Sequence, residues 1–206
     1  EHNFRKTLQY GDKEDNAQMK TIAFVTRVHP KRPNMLKKCI ESIKAQTSDD
    51  YIHILFRDDK SKDGYGVSNA DKSLMKIKDI DARYAMVLDD DDVLVYPDFV
   101  KEFKSIIDKN DVDIVFFKGK IDGGIFPPPD VWGKVPVKCK IGSFNFAVRL
   151  DVWMKYIHIW NPIKGCADYW FIAHCYDNTE KHFWFDRVVA KTQKGPGGGK
   201  GEYNHG

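Results

Sequence analysis

Short apolar runs alternate with amphipathic stretches along this chain, and their order predicts a layered α/β domain. Thr21 to Val25 is brief and largely β-branched, as a buried strand would be, and a polar break, Thr26-Arg27-Val28-His29-Pro30, ends it. Asn34 is a fair N-cap, and beyond it Leu36, Ile40 and Ile43 recur with Cys39 on the same side, which predicts a helix of about three turns on a sheet. Tyr51 to Phe56 makes a second strand. A strand, helix and strand of these lengths form a right-handed βαβ unit with parallel strands. Ser68 caps a further helix expected to run to Lys78.

The next apolar run, Tyr84 to Leu88, stops abruptly at Asp89, Asp90, Asp91 and Asp92. Phe99, Val100, Phe103, Ile106 and Ile107 then trace an amphipathic helix ending near Asn110, and Val112 to Phe117 is a strand. Gly123 to Gly133, with Pro127-Pro128-Pro129, reads as an irregular loop. Val135 to Cys139 and Ser143 to Val148 are expected as strands of an antiparallel region. Leu150 to Ile159 and Tyr169 to Tyr176 are expected helices, with Asp168 in the first turn of the second, and Phe183 to Val189 is a last strand. From Lys191 the chain is Gly-rich and basic, and there is no internal repeat. The resulting division is a polar arm over 1–19, a single domain over 20–190 with halves 20–92 and 93–190, and a tail or lid over 191–206.

Composition narrows the class without naming a function. With 206 residues, 42% hydrophobic and 31% charged, the chain suits one soluble globular domain with a substantial core. A net charge of +3 with scattered lysines gives no footprint for nucleic acid or a membrane surface. No run is long enough to span a bilayer, and no signal peptide opens the chain. The first residue is Glu1, which leaves room for a trimmed end. Cys39, Cys139, Cys166 and Cys175 show neither a Cys-x-x-Cys pair nor a secreted disulfide spacing, so free thiols in a reducing, cytoplasmic compartment are expected.

The acidic run carries the candidate chemistry. Placed at the carboxyl end of a central strand, it falls where open α/β sheets bind their ligands. Four adjacent negative charges repel one another, and a hard divalent cation such as Mg²⁺ or Mn²⁺ relieves that repulsion and can grip a diphosphate. The plain alternative is a solvated loop. An EF-hand is excluded: counted from Asp89, its sixth and twelfth positions are Leu94 and Val100 instead of Gly and Glu.

Three stretches in one order, Thr21 to Thr47, Asp58-Asp59-Lys60-Ser61-Lys62-Asp63-Gly64, and Leu88-Asp89-Asp90-Asp91-Asp92, resemble the family-2 inverting glycosyltransferases. The resemblance covers roughly Thr21 to Val189 and implies a GT-A fold, with a mostly parallel Rossmann-like central sheet, flanking helices and a smaller antiparallel region. It implies donor binding by Thr26, Asp59, Asp89 and Asp90, where Thr26 and Asp59 border the nucleotide base, and a Mn²⁺ or Mg²⁺ ion on Asp89 and Asp91. Asp168 matches the acid that serves as general base, although the preceding acid of the family's pair is Ala167 here. Weaker correspondences are Asp58, Lys72 after Gly66-Val67-Ser68, and Lys191, Lys194 and His205 toward the diphosphate. Asp92 is expected as a structural cap, Trp153, Trp160 and Trp170 as core more than sugar platforms, and Asp168 has the alternative of a simple helix-end carboxylate.

The activity so implied is transfer of a sugar from a nucleotide-sugar, UDP by family habit, to a hydroxyl of a glycan or other acceptor. Two rivals stay open. A nucleotidyltransferase also sets a metal on paired acids in an α/β sheet, but Thr26-Arg27-Val28-His29-Pro30 is not its Gly-rich phosphate loop. An inert module binding a glycan or nucleotide-sugar is favoured by Ala167.

Overall fold

A computed structural model describes residues 19–57, 74–75, 77, 79–160 and 166–193. The Asp58 to Gly64 stretch, most of the helix expected from Ser68, and the tail from Lys194 lie outside the described residues. In chain order the elements are β1 (Lys20–Val28), α1 (Pro33–Lys44), β2 (Tyr51–Arg57), β3 (Ala82–Val87), β4 (Asp92–Leu94), α2 (Phe99–Lys109) and β5 (Ile114–Ile121). There follow β6 (Gly124–Phe126), β7 (Phe146–Arg149), α3 (Leu150–Tyr156), α4 (Ala167–Asp177) and β8 (His182–Thr192).

One eight-stranded sheet holds them in the order β2-β1-β3-β7-β5-β8-β4, with β6 paired to β5. The first three strands are mutually parallel, as expected of the βαβ unit. Beyond β3 the sheet is mixed, because β7 is antiparallel to both its neighbours, β3 and β5, while β5 and β8 are parallel. The antiparallel strands are thus part of the same sheet, and the mostly parallel expectation describes its N-terminal part.

Alternation along each strand sends side chains to opposite faces, and both faces are dry. Ile22, Phe24, Tyr84, Met86, Leu88, Val115 and Phe117 pack with Cys39 and Ile43 of α1 and Phe99 and Phe103 of α2. Ala23, Val25, Ala85, Val87, Ile114, Phe116 and Phe146 pack on the other side with Trp153 and Trp160, and with Phe171 of α4. Trp153 and Trp160 are fully buried, as core residues are, whereas Trp170 is partly exposed.

Several local expectations change for identifiable reasons. Helix α1 begins with Pro33 at its first position, which suits a ring with fixed φ and no N–H, so Asn34 lies inside the helix and caps nothing. The buried residues of α1 are Met35, Cys39 and Ile43, one residue out of phase with Leu36 and Ile40. Val135 to Cys139 forms no strand: Pro136 lacks an N–H for a ladder, and Val135 and Val137 are exposed. Strand β8 continues past Val189 to Thr192 because β4 pairs with its end, Asp92 opposite Thr192 and Leu94 opposite Ala190. Gly119 sits at a register shift between β5 and β8, where an added Cβ would come 2.1 Å from the Phe144 ring.

Thr26 belongs to the α1 face and is wholly buried. Its hydroxyl is 2.8 Å from His53 Nε2 and 3.8 Å from Cys39 Sγ. Burial, assisted by the positive charge of Lys44, lowers the His53 pKa from 6.5 to about 4. The folded protein therefore resists protonation that the unfolded chain accepts, so the stability owed to neutral His53 is full above pH 6.5 and is lost as pH falls toward 4. Relative to His53→Gln, the wild-type protein should lose about 3 kcal/mol of unfolding free energy across that window and none above it. Denaturant titrations of both proteins at several pH values measure the difference.

Candidate active site

Parallel pairing of β1 and β3 sets Val25 opposite Val87, so two residues further on Arg27 and Asp89 leave the sheet side by side and on the same face. Arg27 donates from Nε to Asp89 Oδ1 at 2.6 Å and from Nη2 to Oδ2 at 2.5 Å, a two-pronged guanidinium–carboxylate pair. The guanidinium carbon also lies 6.0 Å from the Trp160 ring centroid, within cation–π range. Ser143 Oγ reaches Asp89 Oδ2 at 3.5 Å from the turn that precedes β7.

The three following aspartates turn with the backbone, whose Asp92 N–H donates to the Asp89 carbonyl at 2.9 Å. Asp90 is buried and accepts the His29 backbone N–H at 2.5 Å and Arg32 Nη1 at 3.0 Å. The same Arg32 nitrogen is 2.8 Å from Asp91 Oδ2. Asp92 is buried at the start of β4. From the end of β8, Gln193 secures the turn: its backbone N–H donates to the Asp91 carbonyl at 2.8 Å and its side-chain amide to the Asp90 carbonyl at 3.1 Å.

Desolvation and mutual repulsion make these carboxyls reluctant to ionise. Burial lifts the Asp90 pKa to about 7 against the opposing pull of the His29 amide and Arg32. Burial and the Asp89 charge raise Asp91, and burial with Asp91 and Asp89 raises Asp92 well above the ordinary range. A set of groups that holds its protons this high gains by meeting a further cation. One carboxylate oxygen from each of Asp89, Asp91 and Asp92 lies within 4.8 Å of the other two. An all-oxygen donor set of this kind fits Mg²⁺ or Mn²⁺.

Asp168 comes to the same face from a different part of the chain. Helix α4 starts at Ala167, after Cys166 in a left-handed conformation, and buries Phe171, Ile172 and Cys175 in the core that also contains Val25 and Val87. Asp168, in the first turn, is half-buried and accepts the Tyr169 N–H at 2.8 Å. Burial raises its pKa first of all; the Tyr169 N–H and the Arg27 charge pull it down, and the Asp89 charge pushes it up. Arg27 and Asp89 thus both enter the electrostatic surroundings of Asp168.

Of the residues singled out from the sequence, Asp89, Asp90 and Asp91 share one turn, and Asp168 lies within the electrostatic reach of Asp89. Thr26 lies two residues before the end of β1, wholly buried, with its hydroxyl toward His53 and Cys39 and its backbone opposite Leu55 in the β1–β2 ladder. Lys191 is exposed on β8 opposite Val93, next to the start of β4. Asp58, Asp59, Lys72, Lys194 and His205 lie outside the described residues. Sequence reasoning passed over Arg27, Arg32 and Gln193, and it assigned Asp92 to capping. The one signal for Arg27 was its place two residues beyond the buried strand, and that becomes informative only when the register with β3 is known.

No protein-family model matches the chain, and no curated protein sequence does. Solved structures do. S. aureus TarS residues 1–349 in complex with UDP-GlcNAc superposes with a TM-score of 0.64 at 14% identity over 86% of this chain and 59% of that one. The same fragment described without that ligand gives 0.62 at 12% identity over 84% and 60%. A glycosyltransferase involved in the glycosylation of the major capsid of PBCV-1 gives 0.59 at 12% identity over 89% of this chain and 98% of its own. The chain therefore spans about three fifths of the TarS fragment. The class these likenesses define is structural: a mixed α/β glycosyltransferase fold of the GT-A kind.

Replacing Arg27 by Met should leave the half-buried Asp89 unpaired among like charges and lower stability by about 1–3 kcal/mol in buffer free of divalent ions. Adding Asp89→Asn should recover part of that loss. Denaturant unfolding of the two single variants and the double variant closes the cycle.

Proposed function

We propose that this chain is an inverting glycosyltransferase that moves a sugar from a UDP-sugar to an acceptor hydroxyl with help from Mn²⁺ or Mg²⁺. The observation that carries this is the gathering of the Asp89–Asp91–Asp92 oxygens at the carboxyl end of β3 with Arg27 bonded to Asp89, and the reading is supported by Asp168, on the first turn of α4, feeling the charges of both Arg27 and Asp89. The likeness to TarS, described with UDP-GlcNAc, supports a nucleotide-sugar donor. We take 20–190 as the catalytic domain, with donor contacts in 20–92 and acceptor contacts in 93–190.

In this mechanism Asp89 and Asp91, joined by Asp92, would hold the divalent ion. When bound, the ion supplies Lewis-acid stabilisation of the charge that grows on the departing nucleoside diphosphate. Asp90, buried with one oxygen on the His29 amide and the other on Arg32, orders the turn that carries the metal-holding acids. Asp168 removes the proton from the acceptor hydroxyl as its oxygen attacks the anomeric carbon opposite the leaving group, and a single displacement inverts that centre. Arg27 acts in two directions: it pairs with Asp89 and favours the ionised form of Asp168, the form a base needs. Among the described residues, no helix is long and apolar enough to cross a membrane.

Three measurements test this proposal. Asp168→Asn should retain UDP and Mn²⁺ binding by calorimetry while transfer falls by about 10²–10⁴-fold, the usual worth of a general base. Unchanged turnover in that variant would reject the role. Because burial raises the Asp168 pKa, the rate should fall on acidification at a higher pH than an ordinary carboxylate would give, and Asp168→Asn should lack that limb. Chelation by EDTA should abolish metal-assisted hydrolysis of UDP-sugars, and Mn²⁺ should restore it. Release of pyrophosphate in place of nucleoside diphosphate would establish the nucleotidyltransferase, and donor binding with no hydrolysis would establish the inert module.

A further inference from the structure

Away from the carboxylates, the fold brings two thiols together that the proposed transfer does not use. Cys139 and Cys166 are 27 positions apart, yet their Sγ atoms are 4.0 Å apart. Cys139 is exposed and Cys166 half-buried, whereas Cys39 and Cys175 are fully buried. The backbone sets the pair apart as well. Four non-glycine residues among those described have positive φ, and two of them are Cys139 at 62° and Cys166 at 54°. Turn geometry alone would favour Gly or Asn at such positions, so the cysteines are not there to make the turn. A second tie joins the same two segments: Lys138 Nζ lies 5.5 Å from the Trp170 ring centroid, next to Cys139 on one side and on α4 on the other.

We propose that Cys139 and Cys166 form a reversible disulfide that clamps the loop before β7 onto the residue that opens α4, two residues ahead of Asp168. An S–S bond is about 2.05 Å long, so closure asks for about 2 Å of movement, within reach of side-chain rotation and a small loop shift. The oxidant is a low-molecular-weight disulfide such as oxidised glutathione. Cys139, the more exposed thiol, attacks one of its sulfurs as the thiolate; a Cys139–glutathione bond forms and one glutathione thiol leaves, carrying the proton Cys139 gave up. Cys166 then attacks the Cys139 sulfur, its own proton passing to the second departing glutathione. Two protein thiols lose two electrons, and one glutathione disulfide becomes two thiols. In a reducing compartment the same pair stays open, which accommodates the free thiols expected from the sequence.

Mass mapping of the whole chain after exposure to oxidised glutathione tests the clamp. The expected result is a Cys139–Cys166 linked peptide in which neither cysteine is alkylated before reduction, a fall in titratable thiols under denaturing conditions from four to two, and recovery of all four with dithiothreitol. The oxidised protein should melt higher than the reduced one, by on the order of 5 °C. Cys139→Ser should show no rise, and Cys166→Ser should stop with glutathione held on Cys139. Wild-type protein that keeps glutathione on Cys139 without the linked peptide, or that joins Cys139 of one molecule to Cys139 of another, overturns the proposal. This readout does not depend on sugar transfer, so failure of the clamp and failure of the enzymatic proposal are separable.

Discussion

Four carboxyl groups in succession at the end of a buried strand are a charge problem, and much of the site is arranged as its answer. Arg27 and Arg32 reach the cluster from the end of β1 and the turn before α1, pairing with Asp89 and with Asp90 and Asp91 respectively. If all four acids ionise, these six groups carry four negative and two positive charges, which leaves a surplus of two. Part of the surplus is relieved by proton retention, as the raised pKa values of Asp90, Asp91 and Asp92 express. A divalent ion would relieve it more completely, because desolvated charges interact more strongly than exposed ones.

The same interaction links the cluster to the rest of the molecule. Arg27 can pair with Asp89 only because β1 and β3 are parallel and in the register that sets Val25 against Val87. Both side chains fall on the face covered by α3 and α4, since Val25 and Val87 do. Asp168 enters on that face because α4 buries Phe171 and Ile172 in the same core. Apolar packing thus places three charged groups from distant segments at one edge. The β8–β4 pairing closes the other side, and Gln193 at its end bonds the backbone of the acidic turn.

The candidate residues were unevenly legible. The strands of the first half, and the carboxylates at the tip of β3, stood out because each is marked locally: apolar runs, β-branched residues and an uninterrupted charge block. Asp168 was visible as a first-turn acid, though its relation to Arg27 was not. The expected Val135 to Cys139 strand misread an apolar alternation that Pro136 and exposure empty of meaning. Arg27 was read only as part of a polar break and Arg32 was passed over, since composition does not say which charges will be desolvated together.

By itself, the sequence determined which segments must be buried and which faces of them are apolar, because periodicity is a local consequence of how side chains project from helix and strand. It also determined that a block of negative charge ends one buried strand. Only the tertiary structure decided that β7 would run between β3 and β5 and make the sheet mixed, that Asp92 would join Asp89 and Asp91, that Arg27 would pair with Asp89, and that Asp168 would come within the electrostatic reach of both. The reason is that register and partner choice belong to pairs of segments far apart in the chain. No single stretch carries that information until packing brings the two together.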